Sequence, residues 1–162
     1  LIPLAKWLKQ ERINVQWIHI GHVEGKLSFA EALEIDNKEV KKIPLMGYMD
    51  YLNSIQGDIG LAPLEQGGFN SFKSELKLLE YSGLGIPWIA SANTSYENLC
   101  NRWGIKGRLC NNSIDWIDNM RELLHKQIRI KEGAMLSAKS HTIQGYIKSL
   151  DEWKKILDFN PI

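Results

Sequence analysis

The sequence predicts an α/β protein, a Rossmann-like three-layer α/β/α sandwich with a mostly parallel sheet. Two observations carry this. Short apolar runs at Val15–Ile20, Val40–Met46, Asp58–Pro63, Ile86–Ala90 and Gly107–Cys110 alternate with segments whose apolar residues recur at helical spacing. That alternation argues for βαβ units and a parallel sheet covered on both faces. The connections between them are long enough to hold a helix, which a right-handed crossover between parallel strands requires. At 162 residues the chain can bury one core and not two, so residues 1–162 are read as one domain.

The elements follow in order. Leu4, Trp7 and Leu8 make a helical stripe between Pro3 and Arg12. Val15 to Ile20 is a strand, and Gly21 to Gly25 its loop. Phe29, Ala30, Leu33 and Glu34 are spaced for a helix over Leu27 to Ile35. Val40 to Met46 is the second strand. Its Pro44 cannot donate to a ladder and so marks an edge or a bulge. Met49 to Ile55 is a short helix leading to Asp58. The next strand ends at Pro63, and the helix beyond it ends at Gly83 and Gly85. After the strand Ile86–Ala90 comes a helix over Asn93–Arg102, with Ser95 as its N-cap. Asn112 or Ser113 caps a helix that carries Ile114, Ile117, Met120 and Leu124 on one face. A further helix covers Arg129 to Lys139. Ile143, Tyr146, Ile147, Leu150, Trp153 and Leu157 are spaced for a last helix over 142–158.

In such sheets ligands bind beyond the carboxyl ends of the strands. The loops Gly21–Gly25, Gly47–Asp50, Pro63–Ser74 and Ser91–Ser95 open on that edge. The most informative of them lies within 58–91, where Asp58-Ile-Gly-Leu-Ala-Pro-Leu64 passes through Gly67-Gly68 into the helix containing Lys73, Lys77 and Glu80. A strand that enters a helix through a glycine loop aims backbone N–H groups and a positive dipole end at one spot, which suits a phosphate.

This wording resembles the nucleotide-sugar donor domain of GT-B glycosyltransferases, and within them the retaining enzymes that build bacterial polysaccharides and lipopolysaccharide. The shared features are the strand Asp58-Ile-Gly-Leu-Ala-Pro-Leu64 and the run Lys77-Leu-Leu-Glu-Tyr-Ser-Gly-Leu-Gly-Ile-Pro-Trp-Ile-Ala-Ser91, with weaker similarity from about residue 4 to residue 157. The resemblance implies a UDP- or GDP-sugar donor and transfer to a glycan or lipid-linked acceptor. It implies that Glu80 contacts the ribose hydroxyls and that the loop and helix start bind the diphosphate. It places the nucleotide base near the backbone at Tyr48 and Met49. It further implies that the chain is one half of a two-domain enzyme, inactive alone, that an opening strand and basic loop precede Leu1, and that the 142–158 helix crosses to an acceptor domain. In one respect the chain departs from the family. A glutamate often stands eight residues before the ribose-binding one, and here that position is Phe72, which leaves sugar identity, stereochemistry and the catalytic residue unassigned.

The residues themselves allow plainer readings. Glu80, Lys77 and Lys73 share a helical face, which suits a ribose diol and a diphosphate or equally a solvated charged surface. Ser71 and Ser74 suit phosphate oxygens or a helix cap. Gly67 and Gly68 permit a close backbone approach or a simple turn. Asn70 stands beside them. Gly21 and His22 follow the first strand, where His22 faces a phosphate or is an ordinary loop histidine. Tyr48, Ser91 and Tyr96 are ligand neighbours or core residues.

Composition narrows the alternatives. Twenty basic against 19 acidic residues, a net charge of +1, give no nucleic-acid footprint. No apolar run in this sequence is long enough for a membrane span, and a peripheral association of the full-length form with a membrane is compatible with that. Two cysteines, Cys100 and Cys110, fit free thiols in a reducing, cytoplasmic compartment. No metal-ligand cluster, G-x-S-x-G elbow or P-loop is present in the sequence. A sugar-nucleotide epimerase half and a degenerate, non-catalytic domain of the same fold remain as alternatives.

Overall fold

The strands are held by parallel ladders whose partners lie far apart in sequence, so their order is set by the helices between them. The computed structural model describes residues 1–22, 28–44, 47–65, 68, 70, 73–92 and 94–141, with the backbone alone at 21, 22, 48, 49 and 94. The elements run α1 (Ile2–Gln10), β1 (Trp17–His22), α2 (Phe29–Leu33), a 3-10 turn (Asn37–Glu39), β2 (Val40–Pro44), α3 (Tyr48–Ser54), β3 (Gly60–Ala62), α4 (Leu76–Gly83), β4 (Trp88–Ser91), α5 (Thr94–Trp103), β5 (Leu109–Cys110), α6 (Ser113–Leu123) and α7 (Lys126–His141). The fold is α/β, compatible with a Rossmann-like α/β/α sandwich.

Among the described residues every pairing is parallel, in two small sheets where the sequence suggested one. One holds β1 and β2, and the other holds β3, β4 and β5 in that order. No described strand pairs with both β1 and β3, so the ladder breaks there, but the core does not. Leu4, Ala5 and Leu8 of α1, Trp17 of β1, Val40 of β2, Ile89 of β4, Cys110 of β5 and Trp116, Met120 and Leu123 of α6 form one cluster. Trp88 and Ala90 of β4 point the other way, into a second cluster with Ala62, Leu78, Tyr96, Leu99 and Leu136. This is the strand period of two at work. It puts α1 and α6 on one face of β4 and α4, α5 and α7 on the other, which is why all four β4 residues are buried.

Local chemistry explains the element ends. Ser28 opens α2 with a capping box: its hydroxyl accepts from Glu31 N–H at 3.2 Å, and Glu31 accepts from Ser28 N–H at 2.8 Å. These bonds hold the Glu31 carboxyl below its usual range. Of the two caps expected for α6 it is Asn112 that acts, in a reciprocal box with Asp115. Pro44 ends β2, whose one ladder partner among the described residues is β1, the edge position expected of it; the register shift between Ile20 and His22 lies on β1 opposite it.

Several expectations are corrected. Gly21 and His22 belong to β1 and not to a following loop, because ladder pairing with β2 carries the strand to Pro44. On α6 Met120 is buried and Ile117 and Leu124 pack against the core as expected, but Ile114 is 68% exposed, and Trp116 and Leu123 are buried in addition. Ser95 lies inside α5 and is not its cap, since its hydroxyl is turned to the Lys73 carbonyl. Lys73 and Ser74 precede α4, which starts at Leu76, so the helical face shared by Lys73, Lys77 and Glu80 reduces to Lys77 and Glu80. The 142–158 helix lies outside the described residues.

Close approaches at Gly60, Gly107 and Gly133 leave no room for a Cβ, and two of them seat helices. A Cβ at Gly60 would stand 2.5 Å from the Tyr81 ring, so glycine there lets α4 lie directly on β3. Gly133 does the same for α7 against the turn at Gly85. The α6–α7 end is fastened by Arg108, which precedes β5. Its guanidinium bonds Glu132 of α7 at 2.8 Å through Nε, and Glu122 of α6 at 2.8 Å through Nη1. Burial pulls its affinity for the proton down, but the bonds and charges of Glu132 and Glu122 outweigh that and hold it above the usual value.

Candidate functional site

Pro63 follows the last residue of β3, where the missing N–H releases the chain from the ladder. The next amide, Leu64 N–H, donates to the Ser91 hydroxyl at 2.8 Å, tying the exits of β3 and β4 together. Further on, the Ser95 hydroxyl donates to the Lys73 carbonyl, and Arg102 forms an ion pair with Glu75. The segment entering α4 is therefore fixed to α5 from behind. In front of it lies a cavity of about 350 Å³ at the carboxyl end of β3. Leu61, Ala62, Pro63 and Leu64 line one side, and Lys73, Ser74, Leu76, Lys77, Glu80 and Tyr96 complete it.

Glu80 is the chemical centre of this cavity. Its side chain is only 5% exposed. A carboxylate is costly to bury unless it is paired and hydrogen-bonded, and both needs are met. The Tyr51 hydroxyl donates to Oε2 at 2.6 Å, and Lys77 Nζ stands 3.1 Å from the same oxygen. Lys77 also donates to the Tyr51 hydroxyl, with its ammonium 4.7 Å from the Tyr51 ring centroid. Below them, burial pushes the Tyr81 phenol up to about 12, and its hydroxyl bonds the Leu61 carbonyl at 3.2 Å. Burial also raises Tyr96.

Among the described residues no side chain caps the start of α4 at Glu75, whose carboxylate is paired with Arg102; the Leu78 N–H bonds the Glu75 carbonyl at 2.9 Å, so the amides of Leu76 and Lys77 are the ones that can meet an anion. Lys73 and Ser74 are exposed at the mouth.

The structure brings together Glu80, Lys73, Ser74 and Lys77 out of the residues expected from the sequence. Gly68, with φ +53°, and Asn70, whose carbonyl accepts from Lys73 N–H at 3.3 Å, precede Lys73 in the chain and are not among the lining residues. Gly67 and Ser71 lie outside the described residues. Gly21 and His22 end β1 in the other sheet, and Tyr48 begins α3; the side chains of His22 and Tyr48 lie outside the described set. Ser91 serves the β3–β4 junction, and Tyr96 is a buried wall of the cavity. Sequence reasoning missed Tyr51. No spacing rule reaches across the 29 positions that separate Tyr51 from Glu80.

Among the described residues no group of three or more His, Cys, Asp or Glu is placed to hold a metal ion, and no helix is long and apolar enough to cross a membrane. Cys100 and Cys110 are both free thiols, each pushed up to about 11 by burial. The chain matches no protein-family profile, no curated protein and no solved structure.

Proposed function

We propose that the chain is a nucleotide-diphospho-sugar-binding domain of a GT-B-like glycosyltransferase, with the cavity between β3 and α4 as its donor site. The observation that carries this reading is Glu80, a buried carboxylate held at the wall of a cavity that also has an uncapped helix start and an exposed lysine. A carboxylate is the acceptor that a vicinal diol needs, and helix amides with an ammonium are what a diphosphate needs. The spacing between them follows from α4, whose first turn lies one helical turn before Glu80. The sequence resemblance of 58–91 to donor domains points the same way.

On this reading the nucleoside ribose sits on Glu80, and the diphosphate lies toward Lys73, Ser74 and the first amides of α4. The reaction transfers a glycosyl group from a UDP- or GDP-type donor to a hydroxyl of a glycan or lipid-linked acceptor. The domain's share of the work is electrostatic. As the bond to the sugar breaks, negative charge grows on the diphosphate leaving group, and fixed donors stabilise it without reorganising. Acceptor binding falls to a second domain.

Calorimetric titration with UDP, GDP and ADP, beside Glu80→Ala, tests this. One of the three binds in the micromolar to millimolar range, and the variant binds it at least about tenfold more weakly, the loss expected for a charged hydrogen-bond acceptor. Absence of binding to all three, or equal binding by the variant, refutes the assignment.

A further inference from the structure

We propose that Tyr51 is a positioning residue that aims the Glu80 carboxylate at the ligand and thereby makes the site select ribonucleotides over 2′-deoxyribonucleotides. The proposal rests on the ribose reading of Glu80 given above and adds a residue and a specificity to it. Tyr51 sits on α3 and reaches Glu80 on α4, with its hydroxyl 2.6 Å from Oε2. Lys77 approaches the same oxygen at 3.1 Å and also bonds the Tyr51 hydroxyl. All the donors that reach the carboxylate among the described residues therefore fall on Oε2. Oε1 receives none of them, and Glu80 lines the cavity.

A carboxylate has about four acceptor positions over its two oxygens. Two donors on one oxygen fix the rotation of the group and keep the other oxygen's positions for a ligand. The two donors are not equivalent. The Lys77 side chain is 40% exposed and ends in a flexible point charge, which attracts the carboxylate without fixing its plane. The Tyr51 phenol is carried on a rigid ring and fixes a direction. Its removal leaves the carboxylate charged and near the cavity but free to turn onto Lys77. A polar site that satisfies a hydroxyl penalises the analogue lacking it only while the site's acceptor is held in place.

The readout is therefore a ratio and not an affinity. Wild type, Tyr51→Phe, Lys77→Met and Tyr81→Phe are titrated calorimetrically with UDP, GDP, ADP and the 2′-deoxy form of each, after a circular-dichroism melt confirms a folded state. Wild type is expected to bind its preferred diphosphate about tenfold more tightly as the ribonucleotide. Tyr51→Phe brings that ratio to within about twofold of unity. Lys77→Met weakens both forms and keeps the ratio, because Tyr51 still holds Oε2. Tyr81→Phe, which loses only a bond to the Leu61 carbonyl, keeps it too. Retention of the wild-type ratio in Tyr51→Phe overturns the proposal while leaving the donor-site reading intact, as does its loss in Lys77→Met alone. A wild-type chain that binds both sugars equally, or binds neither, overturns the ribose reading of Glu80 and the proposal with it.

Discussion

Replacing Gly133 by alanine tests how α7 is seated on the domain. The added Cβ would stand 2.1 Å from the Gly85 carbonyl oxygen, 3.2 Å from its carbon and 3.3 Å from Pro87 Cδ. Ordinary carbon–oxygen contacts lie near ~3.3–3.6 Å, so the overlap exceeds roughly an ångström. The obstacle cannot turn aside as a side chain would. Gly85 is held at φ +69° and its N–H bonds the Ser82 carbonyl at 3.0 Å, while Pro87 has a fixed ring. The helix must therefore lift, loosening Leu136 from Leu78 and Trp88 in their shared cluster. Overpacking of this kind costs about 1–3 kcal/mol, and a backbone obstacle belongs at the upper end. Alanine regains about 1 kcal/mol of helix propensity over glycine. The net expectation is a loss of about 2 kcal/mol, or about 4–8 °C in Tm for a domain of this size. Thermal and urea unfolding by circular dichroism measure it, with the exposed neighbour Ala134→Ser as a control expected to change stability by less than about 0.5 kcal/mol. A Gly133→Ala variant as stable as wild type, or more stable, would show helix propensity acting alone and would refute the packing of α7 on the Gly85 turn.

Two further outcomes follow from buried groups. Arg108→Met should cost about 2–3 kcal/mol in urea unfolding, because Glu132, whose side chain is 19% exposed, loses its partner, whereas loss of the 64% exposed Glu122 contact matters little; a cost under about 0.5 kcal/mol would mean that the clamp contributes nothing. On the alkaline side, Cys100, Cys110 and Tyr81 hold their protons to higher pH in the folded chain than in the unfolded one, with thiols moved from 9.0 to about 11 and the phenol from 10.0 to about 12. The stability they contribute is full below about pH 9 and is lost as pH rises through these values. The urea midpoint should therefore fall above about pH 9, and between pH 10 and 12 it should fall less in Tyr81→Phe than in wild type. Equal slopes in the two proteins would contradict the burial of Tyr81.

The alternation of strands and helices was legible because each signal is local. Consecutive apolar residues at Ile86–Ala90, the stripe Leu4–Trp7–Leu8 and the glycines after Tyr81 need no distant partner to be read. The same holds for Glu80, Lys77, Lys73 and Ser74, because one helix and the turn before it carry them to one place. Element ends were less legible, since they depend on pairing. The β1 strand extends to His22 because β2 offers it a partner as far as Pro44, and α4 starts late because Ser95 and Arg102 hold the residues before it.

The sequence by itself determined the class of the fold and the helix that carries the candidate site, through periodicity, turn residues and the order of charges along one face. Tertiary structure alone decided that the ladder among the described residues divides into two sheets, that α6 buries Trp116 and Leu123 while Ile114 faces water, and that Tyr51 closes on Glu80. The reason is physical. Periodicity states which face of an element is apolar, but the choice of neighbour is made by packing among all the elements at once. A phenol on one helix and a carboxylate on another meet only after β3 and β4 have set the distance between them.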